Sequence, residues 1–181
     1  MRIITGIYKG RIIKVPKGKS VRPTTDKNRE AIFNYLANIL DFDGISACDI
    51  YAGSGSLGLE TLSRGAANVD FVEKNYQCYA TLKSNIDSLG EAGSCRVFKI
   101  SALQFSQIEK PGLYDLILAD PPFFKFDIYP VVKNLVERDY LKENGVLLVE
   151  RSVQTKNEDV ENFGIEPFKR LGDSLLYQFN A

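Results

Sequence analysis

Two stretches hold the residue types best suited to chemistry. The first is Gly53-Ser54-Gly55-Ser56-Leu57-Gly58, a G-x-G-x-x-G that follows an apolar run and opens a helical pattern. Glycines there let the backbone turn tightly and approach a ligand closely. Glu73 ends the next apolar run, about where an acid that binds a ribose belongs, roughly 20 residues on. Loop and acid together point to an adenosine-containing ligand; the loop alone could equally be a plain tight turn. NAD and S-adenosylmethionine both fit. Asp49, near the end of the first apolar run, tilts the choice. A carboxylate repels a pyrophosphate but attracts a sulfonium and an ammonium. The plainer reading of Asp49 is a buried acid held by loop N–H groups.

The second stretch is Asp120-Pro121-Pro122-Phe123. The prolines fix φ and hold the preceding carbonyls as acceptors. Asp120 adds a carboxylate and Phe123 a stacking face. This set suits a planar base with an exocyclic amino group, stacking contributing on the order of 1–3 kcal/mol. An aryl amine is a poor nucleophile because its lone pair is delocalised. Two acceptors on its hydrogens free that lone pair, and the carboxylate stabilises the positive charge that develops. Asp120 or water takes the departing proton. Guanine is favoured over adenine, since its N1–H and N2–H2 are both donors whereas adenine N1 is an acceptor. The plainer reading is a Pro-Pro turn with a core phenylalanine.

Elements must place these groups. Residues 2–5 and 11–15 read as two short strands of a hairpin, and Pro16, Gly18 and Pro23 mark an irregular loop. Asp26 can cap a helix from Lys27, whose apolar period runs from Ala31 to Leu40. Strands are then expected at 45–51, 69–73, 96–100, 114–119 and 145–150. Helices are expected from the glycine loop through Leu62, over 76–89 and over 128–136, with a helical turn near Leu103. Residues 164–169 and 174–179 look like a closing strand pair. Strands separated by helices imply an α/β fold with a mostly parallel sheet covered on both faces, its ligands at the carboxyl edge.

Composition bounds the rest. The 181 residues, 44% hydrophobic and 25% charged, suit one globular domain, at most with a small appendage. There is no His, which excludes Ser-His-Asp and Cys-His chemistry and imidazole metal sites. Cys48, Cys78 and Cys95 form no C-x-x-C, so they read as reduced thiols of a cytoplasmic protein, with no metal. No signal peptide and no membrane span are expected. The net charge of zero argues against a polyanion partner until it is divided. Residues 1–29 hold nine bases and one acid, net +8; the remainder holds 14 bases and 22 acids, net −8. Sign asymmetry of this kind marks nucleic-acid binding, although a charge run is often only a solvated face.

The chain resembles class I S-adenosylmethionine-dependent methyltransferases, and more closely the bacterial 16S rRNA guanine-N2 methyltransferase family. The likeness covers nearly the whole chain. It rests on RIITGIYKGRII, on Arg22-Pro23-Thr24-Thr25-Asp26 with Arg29-Glu30-Ala31-Ile32-Phe33-Asn34, on DIYAGSGSLGLE, on Glu73 with Asn85, on DPPF, and on GDSLLY. It implies a Rossmann-like, seven-stranded sheet over residues 26–181, preceded by a basic RNA-binding hairpin and loop over 1–25. It implies that Asp49, Gly53, Ser54 and Gly55 hold the methionine end of the cofactor. Glu73 would hold its ribose and Ser101 would meet its adenine, with Lys74, Ala102 and Asp120 also at the cofactor. Asp120, Pro121, Pro122 and Phe123 would hold a flipped guanine. Arg2, Lys9, Arg11, Arg22, Thr24 and Arg29 would meet RNA. The expected partner is 16S rRNA or the assembled small subunit, bound by a monomer with no membrane. Three departures stand out. Ser101 replaces the usual Asp or Asn, Tyr51 replaces Phe, and Phe124-Lys125-Phe126 is unusually apolar. The rivals are a DNA amino-methyltransferase, for whose target-recognition region there is no room, an NAD-dependent oxidoreductase, which has no use for DPPF, and a non-catalytic RNA-binding module, which leaves Glu73 unexplained.

Overall fold

A computed structural model describes residues 1–16, 26–109, 113–122 and 126–181. In chain order the elements are α1 (Asp26–Leu36), β1 (Ser46–Ile50), α2 (Ser56–Ser63), β2 (Asn68–Val72), α3 (Tyr76–Leu89), β3 (Cys95–Phe98) and α4 (Ala102–Phe105). They continue with β4 (Tyr114–Ala119), α5 (Ile128–Glu137), β5 (Leu141–Ser152), a 3-10 turn (Val153–Thr155), α6 (Lys156–Phe163), β6 (Lys169–Leu171) and β7 (Ser174–Asn180). The strands form one seven-stranded sheet in the order β3-β2-β1-β4-β5-β7-β6. β3, β2, β1, β4 and β5 run parallel, and β7 joins antiparallel to both β5 and β6.

Parallel strands must be covered on both faces, and they are. One core packs Ile32, Phe33 and Leu36 of α1, Leu57, Leu59 and Leu62 of α2, and Leu82 and Ile86 of α3 against the sheet. The other packs Phe105 of α4 and Ile128, Val131, Val132 and Leu135 of α5 against the opposite face. Local chemistry bounds the elements. Asn75 caps α3 by accepting from Gln77 and Cys78 N–H groups, and Gly90 ends it at φ 79°, a left-handed conformation that suits glycine. The topology turns at β1 and β4, whose neighbouring carboxyl ends leave a crevice, as in other open α/β sheets.

The basic N-terminal arm keeps the expected antiparallel pairing but does not form two regular strands. It forms a single antiparallel bridge, Arg2 to Ile12. Ile3 N–H donates to Arg11 O, Gly10 N–H to Ile3 O and Ile13 N–H to Met1 O, so the arm pairs in part with itself, and the amides of Ile4, Thr5, Ile7 and Tyr8 go to α2. Ile4 and Thr5 N–H groups donate to the fully buried Glu60 carboxylate at 2.7 and 3.0 Å, and Tyr8 N–H donates to Ser63 Oγ at 3.0 Å. Ile3 and Ile13 join the first core. Four other expectations shift. α1 stops at Leu36, because residues 37–39 form a turn that leaves Ile39 exposed. Asp26 lies inside α1, its carboxylate paired with Arg29 at 3.1 Å and Arg2 at 3.7 Å. α6 is additional, and β5 runs well beyond the apolar GVLLVE. Among the described residues no helix is long and apolar enough to cross a membrane.

Candidate active site

The crevice is built from the carboxyl ends of β1, β2 and β4. β1 delivers Asp49, buried, whose Oδ2 accepts from Gly58 N–H of α2 at 2.8 Å. Gly58 makes that approach possible. A Cβ there would sit 2.3 Å from Phe71 Cε1 and 3.0 Å from Asp49 Cβ, so only glycine lets α2 lie this close to the sheet. After β1 the chain turns through Tyr51 at φ 66°, Gly53 at φ 56° and Gly55 at φ 87°. Tyr51 adopts the left-handed region without being glycine, a mark of local strain in this turn. Its hydroxyl donates to Asp127 Oδ1 at 3.2 Å, which ties the loop to the start of α5.

β2 delivers Glu73 to the same loop. Its Oε2 accepts from Gly53 N–H at 2.9 Å and its Oε1 from Asn75 N–H at 2.6 Å. Asp120 directly follows β4, half-buried beside β1, and is followed by buried Pro121 and exposed Pro122. The charges of Asp120 and Glu73 both reach Asp49. Burial pushes the Asp49 carboxyl up to about 7, the Gly58 N–H opposes that, and the two neighbouring carboxylates add to it. Three acids thus converge at the carboxyl edge of adjacent strands. In front of Gly53 the space is open, with nothing nearer a Cβ than Tyr51 O at 4.0 Å. A ligand carrying positive charge and a ribose suits this donor set; a pyrophosphate does not.

The remaining expected residues divide. Ser101 caps α4 in a reciprocal box with Gln104, its hydroxyl accepting from Gln104 N–H at 3.2 Å and donating to Gln104 Oε1 at 2.9 Å. One lone pair is left for an adenine amino group. Ala102 is buried beside it, and Lys74 is exposed next to Glu73. Ser54 is buried, with its carbonyl turned to Asn85. Arg2, Lys9 and Arg11 are exposed on the arm. Arg11 Nη2 donates to Ser88 O at 2.6 Å, and Tyr8 donates to Glu91. Arg29 differs from its expected place at the RNA surface. Its side chain is fully buried, donating to Arg2 O and Asp26, and burial lowers its pKa. It holds the arm from beneath instead of facing solvent. Arg22, Thr24 and Phe123 lie outside the described residues, as do Phe124 and Lys125. Among the described residues no cluster of three or more His, Cys, Asp or Glu is placed to hold a metal.

Sequence reasoning names Asn85 only among the residues of the resemblance and assigns no role to two organising side chains. Glu60 and Asn85 fasten the arm to α2 and α3, and only the tertiary fold brings them there. The Tyr51–Asp127 contact likewise has no sequence signal.

Comparison with known proteins gives consistent matches. The profile of a family described as conserved hypothetical protein 95 matches residues 1–180. Ribosomal RNA small subunit methyltransferase D of Haemophilus influenzae is 35% identical over 183 residues, covering 98% of this chain and 93% of that protein. The protein of the same name from Escherichia coli is 34% identical over 154 residues, 85% of this chain and 76% of that one. A solved Escherichia coli structure that carries a methyltransferase name superposes with a TM-score of 0.82 at 30% identity, over 99% of this chain and 97% of that chain.

Proposed function

The chain belongs to the conserved hypothetical protein 95 family, together with the small-subunit rRNA methyltransferases it matches, and from that premise we propose that it methylates the exocyclic N2 of a guanine in 16S rRNA, with S-adenosylmethionine as donor. The observation that carries this reading is the convergence of Asp49, Glu73 and Asp120 around the glycine loop. Bound there, S-adenosylmethionine supplies an electrophilic methyl on a sulfonium. The chain's own groups do the rest. Glu73 takes the ribose hydroxyls while remaining oriented by Gly53 and Asn75. Gly53, Ser54, Gly55 and the Asp49 carboxylate receive the methionine end, with Lys74 beside the ribose and Ser101 and Ala102 at the adenine.

Asp120 and the Pro121 carbonyl accept the two N2 hydrogens, which rehybridises the nitrogen and aims its lone pair at the methyl. The N–CH3 bond forms as the S–CH3 bond breaks, a neutral thioether departs, and the N2 proton passes to Asp120 or water. Pro122 stiffens the turn, and Phe123 is assigned the face on which the flipped base stacks. Residues 1–25 are assigned the RNA grip, through Arg2, Lys9 and Arg11 together with Arg22 and Thr24, with Arg29 in support. The reaction places the protein with ribosomal RNA in the cytoplasm.

Tritiated methyl transfer to protein-free 16S rRNA and to undermodified 30S subunits, followed by digestion, tests the proposal. N2-methylguanosine is expected from at least one substrate; N6-methyladenosine, or transfer to neither, overturns it. The raised pKa of Asp49 adds a pH signature. Below about 7 the carboxyl is protonated and offers a cation nothing; above it, the carboxylate attracts the sulfonium and ammonium. Affinity for S-adenosylmethionine should therefore rise with pH up to about 7 and then level off. The acid limb should have a slope of at most about tenfold per pH unit, with a proton released on binding. Calorimetry in two buffers of different ionisation enthalpy checks this, and Asp49→Asn should abolish the proton release. An affinity that stays flat from about pH 6 to pH 8 contradicts it.

A further inference from the structure

The arm and the glycine loop meet at one buried side chain. Asn85, on α3, is 2% exposed. Its Oδ1 accepts from Lys14 N–H at 2.9 Å, and its Nδ2 donates to Lys14 O at 3.0 Å and to Ser54 O at 2.9 Å. Both amide hydrogens are therefore committed, one to the arm and one to the loop. Reversing the amide would set Oδ1 against two carbonyl oxygens, so its orientation is fixed chemically. Lys14 Nζ on Ser84 and Arg11 on Ser88 continue the arm along the same helix.

The glycine loop has no slack at this point. A Cβ on Gly55 would lie 2.5 Å from Leu82 Cδ1, so the loop is pressed onto α3 one turn before Asn85. From the other side, Glu60 receives the arm's Ile4 and Thr5 amides and belongs to α2, the helix the loop opens. The arm is thus fastened twice to elements that frame the loop, and Asn85 contacts the loop backbone directly.

We infer that Asn85 is a positioning residue that couples the arm to the cofactor loop, so that cofactor binding and arm docking strengthen each other; this rests on the function proposed above. A ligand seated against Gly53–Gly55 fixes the Ser54 carbonyl, and a fixed Ser54 carbonyl holds Asn85 in the one orientation that receives Lys14. Linkage makes the effect reciprocal. An arm docked through Lys14 holds Ser54 in place for the cofactor. The consequence for catalysis is that the basic surface carried by Arg2, Lys9 and Arg11 is presented in register with a loaded site.

Hydrogen exchange with and without saturating S-adenosylhomocysteine reads this coupling without any turnover. In the wild type the Ile4, Thr5 and Tyr8 amides should exchange roughly fivefold or more slowly with the ligand bound. In Asn85→Ala that ligand dependence should vanish. Lys14→Pro removes the N–H that Asn85 accepts and leaves the sheet untouched, so it keeps the inference testable if Asn85→Ala does not fold. It should weaken S-adenosylhomocysteine binding by a similar factor, although Lys14 does not touch the loop. Arm exchange indifferent to ligand in the wild type, or Lys14→Pro binding like the wild type, overturns the coupling. Failure of the wild type to bind S-adenosylhomocysteine at all overturns the proposed function instead.

Discussion

Asp120→Asn is expected to lower methyl transfer by about 10²–10³-fold while S-adenosylmethionine still binds. Asparagine preserves the shape of the side chain and one acceptor oxygen. It loses the negative charge that stabilises the cation developing on N2, and it presents an amide donor to a base edge made of donors. Single-turnover rates with saturating RNA isolate the chemical step, and calorimetry reports cofactor affinity separately. The same substitution should move the acid limb of cofactor binding to lower pH, because the Asp120 charge is one of the influences that raise Asp49. Loss of cofactor affinity equal to the loss of turnover would show that Asp120 serves the cofactor and not the base.

Gly6→Ala is the second substitution with a large expected effect, and it acts through the arm. Gly6 sits at φ +86°, and a Cβ there would lie 1.7 Å from Ser63 O and 2.3 Å from Ser63 C, both backbone atoms of α2. Neither can step aside, so the arm must lift. Lifting forfeits the Ile7 N–H bond to Ser63 O at 2.8 Å, the Tyr8 N–H bond to Ser63 Oγ, and the Ser63 hydroxyl bond to Thr5 O at 2.6 Å. At about 1 kcal/mol each the total is about 3 kcal/mol, which for a chain of this size lowers Tm by roughly 6–12 °C. Gly10→Ala is the control. It shares the left-handed backbone at φ +83° but has nothing within 4 Å, so only strain is paid, about 1 kcal/mol. Equal Tm shifts in the two variants would mean that backbone strain, and not contact with α2, governs the arm.

The parts of the fold legible in the sequence are those in which burial leaves a pattern. β1, β4 and the Gly145–Glu150 part of β5 stand out because they are buried on both faces and read as apolar runs, and α3 carries both a capping Asn75 and a terminating Gly90. α6 leaves no such trace. Its only fully buried residue is Asp159, whose carboxylate accepts from Arg151 Nε at 2.9 Å and Thr155 Oγ1 at 2.7 Å, and only Val160 and Phe163 pack on the core, too few apolar residues to leave a period to read. The arm misleads for a related reason. Alternating isoleucines and cations imply a regular self-paired hairpin, but the pairing is confined to one bridge and its flanking bonds, and the amides of Ile4, Thr5, Ile7 and Tyr8 are taken by Glu60 and Ser63.

The candidate site divides in the same way. Asp49, Glu73, Asp120 and the glycine loop declare themselves by residue type and by position at strand ends. Asn85 and Glu60 do not, because a buried amide or carboxylate on a helix gives no hint of which distant backbone it will meet. Arg29 shows the converse. It stands in a cationic segment, but the fold turns its guanidinium inward under Arg2.

The arm's attachment also governs the order in which the molecule assembles. Its bonds to Glu60 and Asn85 close loops of 55, 56 and 71 residues. Closing such loops is entropically unfavourable and is rewarded only after α2 and α3 have packed on the sheet. Docking is therefore expected late, after the folding transition state, which unfolding rates of Gly6→Ala against the wild type would read. Contacts of that kind leave the folding rate nearly unchanged and slow unfolding. Beyond any hold on RNA, the arm is expected to lengthen the lifetime of the native enzyme.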